Sequence, residues 1–408
     1  MVLALTGLAP AAMALNDAQE LVVDAWRLVN QSYVDPQRFE EIHWKRLRQR
    51  ALEQPISSSI DAYAAIETML LPLGDPYTRL LRPSDYGALQ SNTQGTVNGV
   101  GLQLALRSPD QQVVVIAPLD GSPAAEAGIA SGSVVLAVDG MPTTELGLEG
   151  TASRLRGPSG SEVLLQLLNP QGRSQELSLE RRQVDLRPVR SKRLRIDNHT
   201  LGYLRITQFA EPVAEQVQEA LRDLTGKEIE GLILDLRNNS GGLVSAGVAV
   251  ANALLDAAPI VETQDREGLS SPVQAGPGSL YAGPMLTIVN GGTASASEIL
   301  AGALQDNGRS ALLGSRTFGK GLIQSLIALG DGSGLAVTVA RYLTPSGRDI
   351  QDLGIEPDQL LAGPEPLNPG SDDDAWLELA ERRLVQLLEQ RGGLPEDRPM
   401  DLSVEPLA

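Results

Sequence analysis

The chain has 408 residues, 42% of them hydrophobic and 21% charged, which suits two or three packed domains and not a disordered or fibrous chain. A formal net charge of −18 speaks against nucleic acid or an anionic membrane surface as the main partner. There is no cysteine, and the two histidines are His43 and His199, so thiol catalysis, disulfides and thiolate or multi-histidine metal sites are excluded.

Residues 1–15 open with MVLALTGLAPAAMA, small and apolar and ending in Ala-Met-Ala. This resembles the hydrophobic and cleavage regions of a signal segment without its basic start, and it predicts export. It is too short to span a bilayer, and no other stretch qualifies. Residues 16–90 predict a helical domain. Val22, Trp26, Val29 and Tyr33 recur at helical spacing, as do Ile66, Met69 and Leu70 after a candidate N-cap at Ser59. GDPYTR at Gly74–Arg79 ends that pattern.

Residues 91–172 change to short apolar segments, VGLQLAL, VVVIAPL, SVVLAVDG and VLLQLLN, separated by turn residues. Two helices interrupt them: SPAAEAG, with Ser122 as cap, Pro123 first and Gly128 closing, and ELGLEGTASRLRG. This is the size of a small β module with two helices. Residues 173–362 alternate strands (LGYLRI, GLILDL, PMLTIVN, SALLGS, LAVTVARY) with helices (AEPVAEQVQEALRDL, GLVSAGVAVANALL, SASEILAGALQDN). Alternation of this kind predicts an α/β domain on a parallel or mixed sheet. Residues 363–408 read as a linker and a charged helix with Trp376, Leu379, Leu384 and Leu387 on one stripe.

Three glycine-rich junctions are able to carry chemistry. In VNGGTASASEIL a strand runs through Gly291-Gly292 into a helix, so a hydroxyl of Thr293, Ser295 or Ser297 is presented at a helix N-terminus. Ser295-x-x-Glu298 also has capping-box spacing, which needs no catalysis. A serine nucleophile needs a base. His43 falls in a helical region and His199 in a polar turn, so lysine is the remaining type. The lysines are Lys45, Lys192, Lys227 and Lys320; the first three have solvated sequence surroundings, and Lys320 stands in the apolar run RTFGKGLIQS. A lysine serves as base once burial lowers its pKa from about 10.4 towards 7–8, which arginine does not do. A plain glycine hairpin with an exposed lysine explains the same residues. DLRNNSGGLV offers backbone amides that, with the Ala296 N–H, suit an oxyanion. NGVGLQL places a glycine loop, Gly99, Val100, Gly101 and Leu102, before a strand edge that suits an extended peptide and its terminal carboxylate.

Taken in order, GDPYTR, GVGLQL, RGPSGSEV, GYLRITQF, DLRNNSGG, NGGTASASEI, GSRTFGKGLIQS and RYLTPSGRDIQDLGIEPD resemble the C-terminal processing peptidases over about residues 20–360. The N-terminal portion looks most like the plant and cyanobacterial members, which mature the photosystem II reaction-centre protein. The resemblance implies a multidomain α/β protein: an N-terminal helical region, a PDZ module and a Ser–Lys catalytic domain. It implies Ser295 as nucleophile and Lys320 as base, with Gln324 orienting the lysine and Gly241 and Ala296 forming the oxyanion hole. Glu298 and Asp306 match supporting acidic positions, and Arg156 the place where the PDZ module is thought to meet the active site. It further implies a protein substrate with a free C-terminus, no metal or organic cofactor, and a periplasmic or thylakoid-lumen location. A general periplasmic tail-specific protease, a non-proteolytic PDZ scaffold and a histidine-dependent PDZ protease are the alternatives.

Overall fold

A computed structural model of the chain describes residues 15–392, apart from 94, 108–111, 119–121, 131–132, 170, 186, 364 and 367–368. The signal-like opening of the sequence therefore lies outside the described residues. Two units divide the chain: residues 1–86, 265–268 and 324–340 form the first, and the rest the second.

The longer helices of the first unit are α1 (Asp17–Ser32), α2 (Trp44–Glu53) and α3 (Ser59–Leu70), with one further turn of helix at Arg38–Glu41. Asn16 caps α1, accepting from Gln19 N at 2.8 Å while Gln19 Oε1 accepts from Asn16 N at 3.1 Å. The cap of α3 is Ser58, one residue earlier than expected, because Asp61 three residues on returns the bond to Ser58 N at 3.0 Å. His43 lies between helices with φ 53. Leu21, Val22, Val29, Trp44, Ile66 and Met69 form the core, which Leu329, Leu335 and Val337 from late in the chain complete. Of these, Leu335 pairs with Leu80 of β1 (Arg79–Leu81), in an antiparallel register that sets Arg79 opposite Ala336. The helical region is thus not built from residues 16–90 alone.

The second unit begins with the β module. Its longer strands are β2 (Thr96–Gly99), β3 (Leu102–Arg107), β4 (Gln112–Pro118), β5 (Val134–Val138), β6 (Glu162–Leu168), β7 (Ser174–Glu180) and β8 (Arg182–Asp185), and the two-residue strand Met141–Pro142 pairs with β5. The sheet order is β3-β4-β5-β6-β7, so β3 is an edge strand, and β2 pairs separately with β8. Helix α4 (Pro123–Glu126) starts as expected, with Ser122 Oγ accepting from Ala125 N at 3.2 Å. Helix α5 (Thr143–Leu155) breaks at Gly147, whose φ of 65 lies outside the helical region.

The α/β part follows: β9 (Val189–Ile196), β10 (His199–Ile206), α6 (Val213–Thr225), β11 (Gly231–Asp235), α7 (Val244–Leu254), β12 (Met285–Val289), α8 (Ala296–Asp306), β13 (Ala311–Gly314), β14 (Gln359–Leu360) and α9 (Ala375–Gly392). The sheet order is β9-β10-β11-β12-β13-β14, parallel from β10 onward with an antiparallel edge at β9. Strands β11, β12 and β13 are buried at every residue, as parallel strands covered on both faces must be. Leu232 and Leu234 pack towards α6, α7 and α8, while Ile233 meets Trp376, Leu377 and Leu384 of α9. Gly231 lets α9 approach: a Cβ there would lie 2.8 Å from Leu384. His199 begins strand β10 and pairs with Glu230 at 2.8 Å, so it is not in a free turn. Lys192 also departs from expectation, for its Nζ donates to Gly370 O at 2.8 Å and lies over the Tyr203 ring.

Candidate active site

The strand β12 ends at Val289 and the chain turns through Asn290–Ala294 before α8 begins. Asn290 closes this turn: its N–H donates to Thr293 Oγ1 at 3.0 Å, and its Oδ1 accepts from Gly292 N at 3.1 Å and Asn238 N at 2.8 Å. The three hydroxyls left open by the sequence are placed differently. Thr293 and Ser297 are fully buried; their hydroxyls donate to Leu236 O at 2.9 Å and Asn239 O at 2.8 Å. Ser295 retains 9% exposure and stands at the N-cap of α8 with φ 57 and ψ −118, a conformation that costs a non-glycine residue about 1–3 kcal/mol. A sharp strand-to-helix turn of this kind presents a hydroxyl at the head of a helix.

Glu298 is the hub. Its carboxylate is fully buried, and the capping-box spacing is realised as Ser295 N donating to Oε2 at 2.9 Å. The same carboxylate takes Lys320 N on Oε2 at 2.9 Å, Gly319 N on Oε1 at 2.8 Å and Thr317 Oγ1 on Oε1 at 2.5 Å. One side chain therefore joins the serine turn to the lysine loop. Lys320 itself is half-buried. Tyr342, also buried, donates its hydroxyl to Ser295 O at 3.1 Å, and its N–H donates to Gly321 O at 2.9 Å. Burial, then the charges of Glu298 and Asp349, push the Tyr342 hydroxyl well above its usual pKa and keep it a donor.

The glycine turn after β11 lies against the serine. A Cβ on Gly241 would lie 2.9 Å from Ser295 Cβ and 2.8 Å from Ala294 O, and its φ is +98, so only glycine fits. Its N–H, expected to face an oxyanion, donates to Asn239 Oδ1 at 3.0 Å in this structure. Asn239 is fully buried; its Nδ2 donates to Ile206 O at 3.0 Å and its carbonyl accepts from Ala294 N at 3.0 Å.

Beneath this turn is a buried ionic cluster that the sequence did not disclose. Arg237 donates to Asp235 at 3.0 and 2.6 Å and to Asp374 at 2.9 and 2.5 Å, and Tyr203 donates to Asp235 at 2.7 Å. Asp235 ends the otherwise apolar strand β11 and Arg237 comes two residues later, and two charges there were the available clue. Burial would raise the Asp374 carboxyl, but the bonds and charge of Arg237 hold it below the usual carboxylate range.

The remaining expected residues have other partners in the structure. Asp306 is at the far end of α8, roughly 16 Å along its axis at about 1.5 Å per residue. There it accepts from Ser346 N at 2.9 Å and Ser346 Oγ at 2.8 Å and pairs with Arg348, so it anchors that loop and not the serine turn. Gln324 belongs to the first unit, where its Nε2 donates to Thr338 Oγ1 at 3.4 Å. Arg156 forms an antiparallel bridge with Gly99. In the loop it adjoins, Val100 is buried, Gly101 takes φ +74, and Leu102 starts the edge strand β3. Among the described residues there is no cluster of histidine and acidic side chains that would hold a metal ion, and no helix long and apolar enough to cross a membrane.

Comparison with known proteins agrees with this architecture. Residues 200–361 match the model of peptidase family S41, and residues 114–169 match the PDZ domain. The chain is 44% identical over 363 residues to a carboxyl-terminal-processing protease of Synechocystis sp., covering 88% of this chain and 84% of that protein. It is 40% identical to the chloroplastic carboxyl-terminal-processing peptidase 3 of Arabidopsis thaliana, covering 85% of this chain and 69% of that protein. Among solved structures, a photosystem II D1 C-terminal processing protease is 38% identical, with a TM-score of 0.62 over 88% of this chain and 98% of that chain. The parallel sheet, the serine turn at its carboxyl end and the PDZ module with an open edge therefore belong to one scheme, and the chain is a member of peptidase family S41, the serine peptidases that include the carboxyl-terminal-processing proteases.

Proposed function

We propose that Ser295 is the nucleophile and Lys320 the general base of a peptidase that trims the C-terminal extension of the photosystem II reaction-centre precursor. The observation that carries the pairing is the Glu298 carboxylate, which receives the main-chain amides of both residues on one oxygen. Lys320 Nζ takes the Ser295 Oγ proton as Oγ attacks the scissile carbonyl carbon. The Ala296 N–H, at the head of α8, stabilises the oxyanion, with the Gly241 turn beside it. When the C–N bond breaks, Lys320 returns the proton to the leaving amine, and water then hydrolyses the acyl-enzyme through the same base. The loop Gly99–Leu102 and the edge strand β3 hold the substrate's free C-terminus by strand addition.

The substrate assignment draws support from the Synechocystis and chloroplastic Arabidopsis relatives and from the likeness to the photosystem II D1 C-terminal processing protease. An exported location, in the periplasm or thylakoid lumen, goes with that substrate. The test is incubation with the unprocessed reaction-centre C-terminal peptide and with unrelated unfolded tails, products being read by mass. Cleavage of the precursor peptide at one bond, lost in Ser295→Ala and nearly lost in Lys320→Arg, is the expected result. Activity on unrelated tails without cleavage of the precursor would make it a general tail-specific protease. No cleavage of any tail by a chain that binds them would leave a PDZ scaffold.

A further inference from the structure

Phe318 stands two residues before Lys320 and is 58% exposed. The backbone around it is held at each step: Thr317 N donates to Ile355 O at 3.1 Å, Phe318 N to Thr293 O at 3.0 Å and Gly319 N to Glu298 Oε1 at 2.8 Å. Thr317 and Gly319 on either side are buried. The fold thus turns one aromatic ring out into water from a loop that it otherwise fixes. The next turn repeats the arrangement. Asp352 N donates to Gly319 O at 2.9 Å, a Cβ on Gly319 would lie 3.0 Å from Leu353 N, and the Leu353 side chain is 64% exposed.

One exposed apolar side chain needs no explanation. Two on adjoining turns are different when one turn carries Lys320 and is bonded, through Thr293, to the turn that carries Ser295. Neither residue is part of a hydrophobic core cluster, so packing does not require them to be large and apolar. An aromatic side chain carried on a backbone already held by hydrogen bonds, with two χ angles of its own, loses less freedom on binding than one on a mobile loop.

We propose that Phe318, with Leu353 beside it, forms an apolar subsite that selects a hydrophobic side chain of the substrate next to the scissile bond. This rests on the Ser295–Lys320 reading. A peptide attacked by Ser295 crosses the serine turn in extended form, and successive residues advance about 3.3 Å, so a side chain flanking the bond comes within reach of the ring. Covering a leucine-sized group there is worth about tenfold or more in kcat/KM over a polar residue.

The test uses the full chain and a set of peptides that differ only in the residues on either side of the cleaved bond, each set in turn to Leu, Ser or Asp. Wild type is expected to favour Leu over Asp by about tenfold or more at one of the two positions. Phe318→Ala is expected to bring that ratio below about threefold, Phe318→Leu to keep most of it, and Leu353→Ala to lower it less. Since Phe318 is exposed, its variants should melt within about 2 °C of wild type. A Leu/Asp ratio unchanged in Phe318→Ala, or an equal loss on every peptide, overturns the subsite alone. A wild type that cuts none of the peptides overturns the Ser295–Lys320 reading and the subsite with it.

Discussion

The main-chain amides of Ser295 and Lys320 both donate to Glu298 Oε2, each at 2.9 Å. The helix cap of α8 and the loop that carries the lysine are therefore set by one buried carboxylate. Replacing Glu298 with Gln leaves a single acceptor oxygen for four donors and turns an amide N–H₂ against two of them. Each unmet buried donor costs about 1–3 kcal/mol. Glu298→Gln should lose at least about 3 kcal/mol by urea denaturation and about 100-fold or more in kcat. Near-normal kcat in a folded Glu298→Gln protein would show that the carboxylate does not set the pair.

Gly241 offers a sharper steric test. Alanine there places a Cβ 2.9 Å from Ser295 Cβ at a φ of +98. Gly241→Ala should reduce kcat/KM by about 100-fold while peptide affinity of the β module, read by calorimetry, stays within about twofold.

Tyr342→Phe removes one donor and keeps the ring in the core. The bond to Ser295 O should account for about 1 kcal/mol of stability and less than about tenfold in kcat. Because burial raises the folded-state pKa of this hydroxyl, its contribution is complete below the unfolded value of about 10 and is lost as pH rises through the folded one. The wild type should therefore lose stability above about pH 10 more steeply than Tyr342→Phe, a difference read from urea midpoints across that range.

Asp374 titrates in the opposite sense. Its folded pKa lies below its unfolded one, so its stabilisation is present above about pH 3.9 and fades as pH falls through the folded value. Asp374→Asn should cost about 3 kcal/mol at neutral pH, and the gap to wild type should narrow in acid. A gap independent of pH would count against the ion pair.

Asp306 separates support of the loop from catalysis. Burial alone would raise its carboxyl, but hydrogen bonds from Thr344 and Ser346 and the charge of Arg348 hold it low. Asp306→Asn should weaken the fold by about 1–3 kcal/mol and leave kcat/KM of the folded protein within a few fold. A selective loss of kcat would place it in the catalytic centre after all.

How much of this was legible in sequence depends on the range of the interaction. Ser122 was readable as a local cap because both partners lie within three residues; Ser58 was missed for Ser59 since either serine fits until Asp61 chooses. The strand Gly231–Asp235 declared itself through the apolar run Gly231–Leu234. From spacing Glu298 was visible as half of a capping box, and the family resemblance gave it a supporting role; its bonds to Thr317–Lys320 were not readable, for that loop reaches it from beyond the end of the helix. Arg237 and Asp374 are separated by 137 positions, and no spacing rule connects them. The late strand that completes the helical unit was hidden for the same reason: its apolar pattern tells that it is buried, not against what.

The Arg237 cluster has a consequence for the order of events during synthesis. Arg237 leaves the ribosome with Asp235 already made, yet its second carboxylate, Asp374, is among the last residues of the described fold. Until α9 docks, the guanidinium under the Asn238–Gly242 turn is short of one counter-charge and keeps water beside it. A nascent chain stalled before Asp374 should bind a serine-directed acylating probe far more slowly than the finished chain. The charge balance beneath the turn that lies against Ser295 is thus completed from a segment 137 positions away, so the docking of α9 and the settling of that turn are coupled steps of folding.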